Sequence, residues 1–213
     1  MNMSERWDAL WRSIKASLSP EPIFQNLIQA YAQPQRTYHT LDHVQDCLEQ
    51  LDWSCSLTEH ADEVELGLWF HDVVHDACAS DNEMQSTAWA TTVLQNGGVA
   101  PDVTARVGQL ILATRHQSLA TSGDAALIMD IDLSILGRDP VAFDHYESKI
   151  RREYQEVSEA AYREGRALIL ESFLLRETVF RRPKFRERYE AQARDNLSRS
   201  ILKLRDGLIT TTF

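Results

Sequence analysis

The chain has 213 residues, 43% of them hydrophobic and 25% charged, and a formal charge of −10 from 22 Lys and Arg against 32 Asp and Glu. That length suits one sizeable hydrophobic core and a single domain over residues 1–213, and the composition excludes disorder, a collagen-like repeat and a disulfide scaffold. The acidic balance speaks against a DNA or RNA partner and against an anionic membrane surface, because such binders carry a basic footprint.

Almost every segment reads as helix. Leu10, Ile14 and Leu18 share one face of a first helix that Pro20 ends, and a short second helix runs from Pro22 to Tyr31. Leu41, Val44, Leu48 and Leu51 repeat at helical spacing, with Thr40 as N-cap. Ala61 to Asp76 is predicted as one long helix, apolar nearly all round. Met84 to Leu94 continues the pattern up to the turn signal Asn96-Gly97-Gly98, and Pro101 opens a helix that runs to about His116. Ala125 to Leu136 is stopped by Gly137, and Asp139-Pro140 starts a helix with Tyr146, Ile150, Tyr154 and Val157 on one face. Two more follow, roughly Glu159 to Arg176 and Lys184 to Arg205. No run alternates with the period of a strand, so the fold class is all-α. The five tryptophans, Trp7, Trp11, Trp53, Trp69 and Trp89, are assigned to the core by default.

The cysteines Cys47, Cys55 and Cys78 lack zinc-ligand spacing and read as free, mostly buried thiols in a reducing compartment. Met1 to Leu18 has no apolar core of signal-peptide type, and no stretch approaches the roughly 18 apolar residues of a membrane span. A soluble cytoplasmic protein without a membrane partner is expected.

The segment Phe70-His71-Asp72-Val73-Val74-His75-Asp76 carries the most chemistry. At about 100° per residue, His71, Asp72 and His75 leave the predicted helix on the side of Val64 and Leu68, inside a helix that is buried because it is apolar all round. An ionised carboxylate there is costly unless it is paired or coordinates a cation, and a metal resolves the conflict because imidazole and carboxylate are both good ligands. His39 and His43 flank the buried stripe of the third helix. In Met129-Asp130-Ile131-Asp132 the helical angle puts Asp132 in the arc of Ile128, Ile135 and Leu136, with Asp130 pointing away. Asp132 is therefore expected to be the buried carboxylate and the better ligand, on the premise of a regular helix through Gly137.

The order His43, His71-Asp72, Asp132 resembles the H…HD…D signature of the HD superfamily. Arg36-Thr37-Tyr38-His39, Phe70 to Val74, Asp81-Asn82-Glu83, Ala113 to His116 and Asp130 to Gly137 resemble its bacterial branch of predicted metal-dependent phosphohydrolases. The likeness spans roughly Arg36 to Tyr154. It implies a single-domain helical bundle with a central metal site (core about residues 36–154), holding one or two divalent ions on His43, His71, Asp72 and Asp132. Manganese, iron, cobalt, nickel and zinc all suit that set. The implied reaction is hydrolysis of a small phosphate ester, nucleotides included, by metal-activated water. His75 is then the candidate general acid and Arg36 a bidentate phosphate contact. Asp72 serves both as ligand and in catalysis. His39, His116 and Asp130 are further candidates for the site, and Asp76 and Glu83 are candidates for orienting imidazoles. Two other functions fit the same fold: a di-iron oxygenase completed by His75 and His116, and a non-catalytic ligand-binding or regulatory module. No phosphate-binding glycine loop, Gly-x-Ser-x-Gly elbow or His-Glu-x-x-His occurs in the chain.

Overall fold

The computed structural model describes residues 2–116 and 123–207. All regular structure among the described residues is helical, as expected: α1 (Met3–Ser13), α2 (Pro20–Tyr31), α3 (Leu41–Ser54), α4 (Ala61–Phe70), α5 (Asn82–Asn96), α6 (Pro101–Ala113), α7 (Gly123–Asp132), α8 (Pro140–Glu153), α9 (Glu159–Leu174) and α10 (Pro183–Asp206). Short 3₁₀ turns follow α3 at Cys55–Leu57 and α7 at Leu133–Gly137. No helix among them is long and apolar enough to cross a membrane. The chain divides into two compact units, one ending at Ile131 and the other beginning at Asp132. The rest of the 1–213 span lies outside the described residues.

In the first unit α4 is the central helix: Val64, Leu66, Leu68, Trp69 and Phe70 are wholly buried. Trp7 and Trp11 of α1 stack at 5.2 Å, and Trp7 meets Trp69 edge-on at 5.4 Å, while Phe24 of α2 meets Trp69 at 5.9 Å. Each such pair adds about 0.5–1.5 kcal/mol beyond area burial. The two indole N–H groups of α1 donate to Pro20 and Leu18 carbonyls. Trp53 and Trp89, by contrast, are half-exposed. The one buried acid of α4, Glu63, takes two 2.7 Å bonds from Arg106 of α6. Asp124, in the first turn of α7, accepts the Glu59 and His60 amides at 2.8 Å just ahead of α4.

Helix starts follow local chemistry. Asn2 and Glu5 form a reciprocal capping box on α1, and Asp139 accepts the Val141 and Ala142 amides ahead of α8. Pro20, Pro101, Pro140 and Pro183 each occupy a first helical position.

Three predicted stops move. The first helix ends at Ser13, not near Leu18, because Lys15 adopts a left-handed φ of 54° and the Ser17 amide goes to the Gly97 carbonyl. The long helix predicted for Ala61 to Asp76 ends at Phe70. Its next ladder bonds are diverted: the Val74 amide to Ser86 Oγ, the Asp76 amide to Asn82 Oδ1, and the Asp72 and Val73 carbonyls to Arg36. The helix predicted to reach Leu136 tightens to 3₁₀ geometry after Asp132.

In the second unit α10 packs along α9 and against the 3₁₀ turn, around Phe143, Phe180, Phe185 and Leu197. Asn196, fully buried on α10, donates to the carbonyls of Leu136 and Arg138 at 2.9 Å and so closes that turn. Arg166 of α9 pairs with Glu147 of α8 and donates to Tyr146 Oη at 2.8 Å; Ser200 completes the group by donating to Glu147 at 2.9 Å.

Candidate metal centre

α3 supplies His43, and the turn directly after α4 supplies His71 and Asp72. His71 keeps α-helical backbone angles as the C-cap of α4, so its ring continues the buried face of that helix. The two imidazoles are almost entirely buried, with 4% exposure at His43 and 1% at His71. Their Nε2 atoms lie 3.1 Å apart, and Asp72 Oδ2 lies 3.0 Å from the His71 Nε2 and 3.6 Å from the His43 Nε2.

His71 Nδ1 is 2.9 Å from the Leu68 carbonyl. That oxygen can only accept, so the Nδ1 bears the proton and the Nε2 lone pair is left facing the cluster, the tautomer a metal-ligating histidine needs. The three donor atoms also have the spacing of ligands. Bonds of about 2.0–2.2 Å to a transition ion put neighbouring ligand atoms about 3.0 Å apart in an octahedron and about 3.4 Å apart in a tetrahedron. Two buried imidazoles with a half-buried carboxylate beside them fit a divalent metal ion.

Cys47, one turn along α3 from His43, was not singled out in the sequence as part of the site. Its buried sulfur lies 3.8 Å from His43 Nε2, and His43, Cys47 and His71 each offer a ligand atom within 4.8 Å of the others. The four-residue spacing on a buried stripe is the signal that could have found it. Cys55 and Cys78 are exposed, against the expectation of mostly buried thiols.

His39, just ahead of α3, lies edge-on to His43 at 6.0 Å between ring centroids. His75 does not stand one helical turn beyond His71, because α4 has ended; its ring instead stacks on His39 at 4.0 Å. Tyr38 lies against His43 at 4.8 Å. A run of rings therefore leads from His71 through His43 and His39 to His75. The far end opens on a cleft of about 560 Å³ lined by His75, Asp76, Asn82, Gln85 and Trp89 among others.

Arg36 is 5% exposed and its donors go to backbone: Nη1 to the Asp72 and His39 carbonyls, Nη2 to the Val73 carbonyl at 2.8 Å, with Nε on Gln33 Oε1 at 3.1 Å. Of five N–H donors on a guanidinium, four are thereby engaged, which leaves no open fork for a phosphate and corrects that expectation. The guanidinium sits over the Tyr31 ring at 5.3 Å. Tyr31 is buried with its hydroxyl on the Trp69 carbonyl at 3.0 Å; burial, then the Asp72 charge, holds its phenol well above the usual range.

Asp76 and Glu83 are also spent elsewhere. Asp76 accepts the Cys78 amide in an exposed turn, and Glu83 faces Arg115 at 3.8 Å. His116 lies three residues past the end of α6, with a left-handed φ of 55°. Asp132 closes α7 and opens the second unit. It is half-buried, whereas Asp130 is completely buried, the reverse of the predicted pair. The cause is that Ala126 through Ile131 are all buried, so α7 has no solvent face toward which Asp130 could turn.

No family model matches the chain, and neither the curated proteins nor the solved structures yield a match.

Proposed function

We propose that the protein is a metal-dependent hydrolase of small phosphate esters, nucleotides included, with His43, His71 and Asp72 holding a divalent ion. The observation that carries this reading is the convergence of two buried imidazole nitrogens and one carboxylate oxygen at 3.0–3.6 Å. Asp132 is kept as the fourth ligand on the strength of the sequence resemblance. When bound, such an ion lowers the pKa of a water and polarises a phosphoryl oxygen.

The chain's own groups supply the rest. The Leu68 carbonyl fixes the His71 tautomer, so its Nε2 is ready to ligate without losing a proton. Burial of the two rings keeps bulk water from competing for the ligand atoms. His75, steadied by its stack on His39, is the candidate proton donor to the leaving oxygen, and the cleft beside it admits substrate.

Elemental analysis of the purified protein tests the reading, with His71→Ala and Asp72→Ala alongside. One or two transition ions per chain, lost in both variants, support it and open a screen of phosphate esters. No metal after incubation with manganese, cobalt or zinc ends it. Iron in pairs with an oxygen-dependent spectrum replaces the hydrolase with the di-iron oxygenase.

A further inference from the structure

The two ligand-bearing elements reach the cluster by different routes: His43 rides on α3, and His71 and Asp72 follow the last residue of α4. Beyond Phe70 the Val73 amide bonds the Phe70 carbonyl at 3.1 Å, and the Val74 amide turns away to Ser86 Oγ. We infer that Arg36 is the positioning residue of the metal centre, its guanidinium locking the Asp72-Val73 turn to the segment that leads into α3.

Four observations converge. The guanidinium binds the carbonyls of Asp72 and Val73, the two residues that would otherwise extend α4. The same Nη1 binds the carbonyl of His39, two residues before the first residue of α3. One side chain therefore fixes both approaches to the cluster. Third, the side chain is held against rotation: Gln33 takes its Nε, and Tyr31, itself anchored to the Trp69 carbonyl, lies under its plane. Finally, its positive charge stands just past the C-terminal end of α4, where the aligned peptide dipoles make the helix end negative. A planar fork of fixed donors can serve several carbonyls in one geometry; a lysine ammonium, a point charge on a flexible stem, cannot. A Cα shift at Asp72 moves Oδ2 out of the 3.0 Å relation to His71 Nε2, so the site depends on this clamp.

This inference rests on the metal reading, and the test separates the two. Zinc affinity is measured by competition with a chromophoric chelator, and melting of the metal-free protein is recorded in parallel, for wild type, Arg36→Lys, Arg36→Gln and Arg106→Gln. Arg106 is the control because it holds a buried carboxylate of α4, Glu63, without touching the Asp72 turn. Arg36→Lys and Arg36→Gln each weaken zinc binding by about 10-fold or more, the usual scale for losing a group that orients a ligand. Arg106→Gln lowers the melting temperature and leaves zinc affinity within about twofold of wild type. Should Arg36→Gln fail to fold, Arg36→Lys keeps charge and bulk and decides alone. Variants at Arg36 that bind zinc as wild type does, whatever their melting temperature, overturn the inference and leave a structural arginine. A wild-type protein that takes up no zinc, manganese or cobalt overturns the metal reading itself.

Discussion

Two carboxylates stand two residues apart near the end of α7 and meet different surroundings. Asp130 is sealed among Ala126 to Ile131, while Asp132 keeps partial access to solvent where the helix tightens into the 3₁₀ turn. The sequence resemblance keeps Asp132 in the proposed ligand set, and Asp130, completely buried, is assigned to the core. Asp130→Ala is therefore expected to lower the stability of the metal-free protein by roughly 3 kcal/mol, the order seen when a buried charged group is deleted from its partners. Asp132→Ala is expected to lose metal with a smaller change in metal-free melting. Elemental analysis and thermal melts of the two variants side by side decide; metal loss confined to Asp130→Ala removes Asp132 from the ligand set. The sequence made His43, His71 and Asp72 legible because their types and order are chemical facts. It misjudged the burial of the acid pair because an angular argument presumes a helix with one wet face, and α7 has none. It misplaced His75 for a related reason: the ring's position depends on where α4 stops.

At the scale of elements, starts were easier to read than stops. Thr40, Pro101 and Asp139-Pro140 mark helix beginnings with residues whose preference is local, and α3, α6 and α8 begin there. The end of α4 is set by Ser86, Asn82 and Arg36, distant in sequence, which outbid the next ladder bonds in a stretch with no glycine or proline. Gly137 is the exception, a legible stop whose reason is spatial. A Cβ built there would lie 2.7 Å from the carbonyl oxygen of Tyr189 and 2.9 Å from its Cα, both backbone atoms of α10 that cannot swing aside. Gly137→Ala is thus expected to cost about 2–3 kcal/mol, at the upper end for overpacking, read as a lower urea midpoint with an unchanged slope. A midpoint equal to wild type would mean that α10 can move off the turn at little cost. Gly98 tests the contrast: its φ of 70° disfavours a side chain although nothing but Ser17 Oγ approaches, so alanine there costs about 1 kcal/mol through backbone strain alone.

Across the whole molecule, ionisable groups couple stability to solution conditions in two ways. Tyr31, Tyr146 and Tyr162 all have phenols pushed above the ordinary value, chiefly by burial. A raised folded-state pKa means the folded chain holds protons that the unfolded chain releases, so this part of the stability is complete below about pH 10 and falls as pH climbs beyond it. Absorbance of phenolate against pH should therefore show these three tyrosines ionising only as helicity is lost, with the loss less steep in Tyr31→Phe; ionisation in one smooth step near pH 10 with helicity intact contradicts the burial assignment.

A metal held at the proposed site would act at neutral pH and in the opposite sense. His43, His71 and Asp72 are held with their ligand atoms together by the Leu68 carbonyl and the Asp72 turn, so the folded chain presents a formed site and the unfolded chain does not. Whatever binds only the folded state stabilises it, by about 2.7 kcal/mol at free metal a hundredfold above the dissociation constant. For a chain of this size that is a rise in melting temperature of roughly 5–10 °C, reversed by a chelator and absent in His71→Ala. A chelator that removes the ion without moving the melting temperature would mean that the ion binds the unfolded chain as tightly, and the site could then not be the preformed one that the 3.0–3.6 Å donor spacings describe.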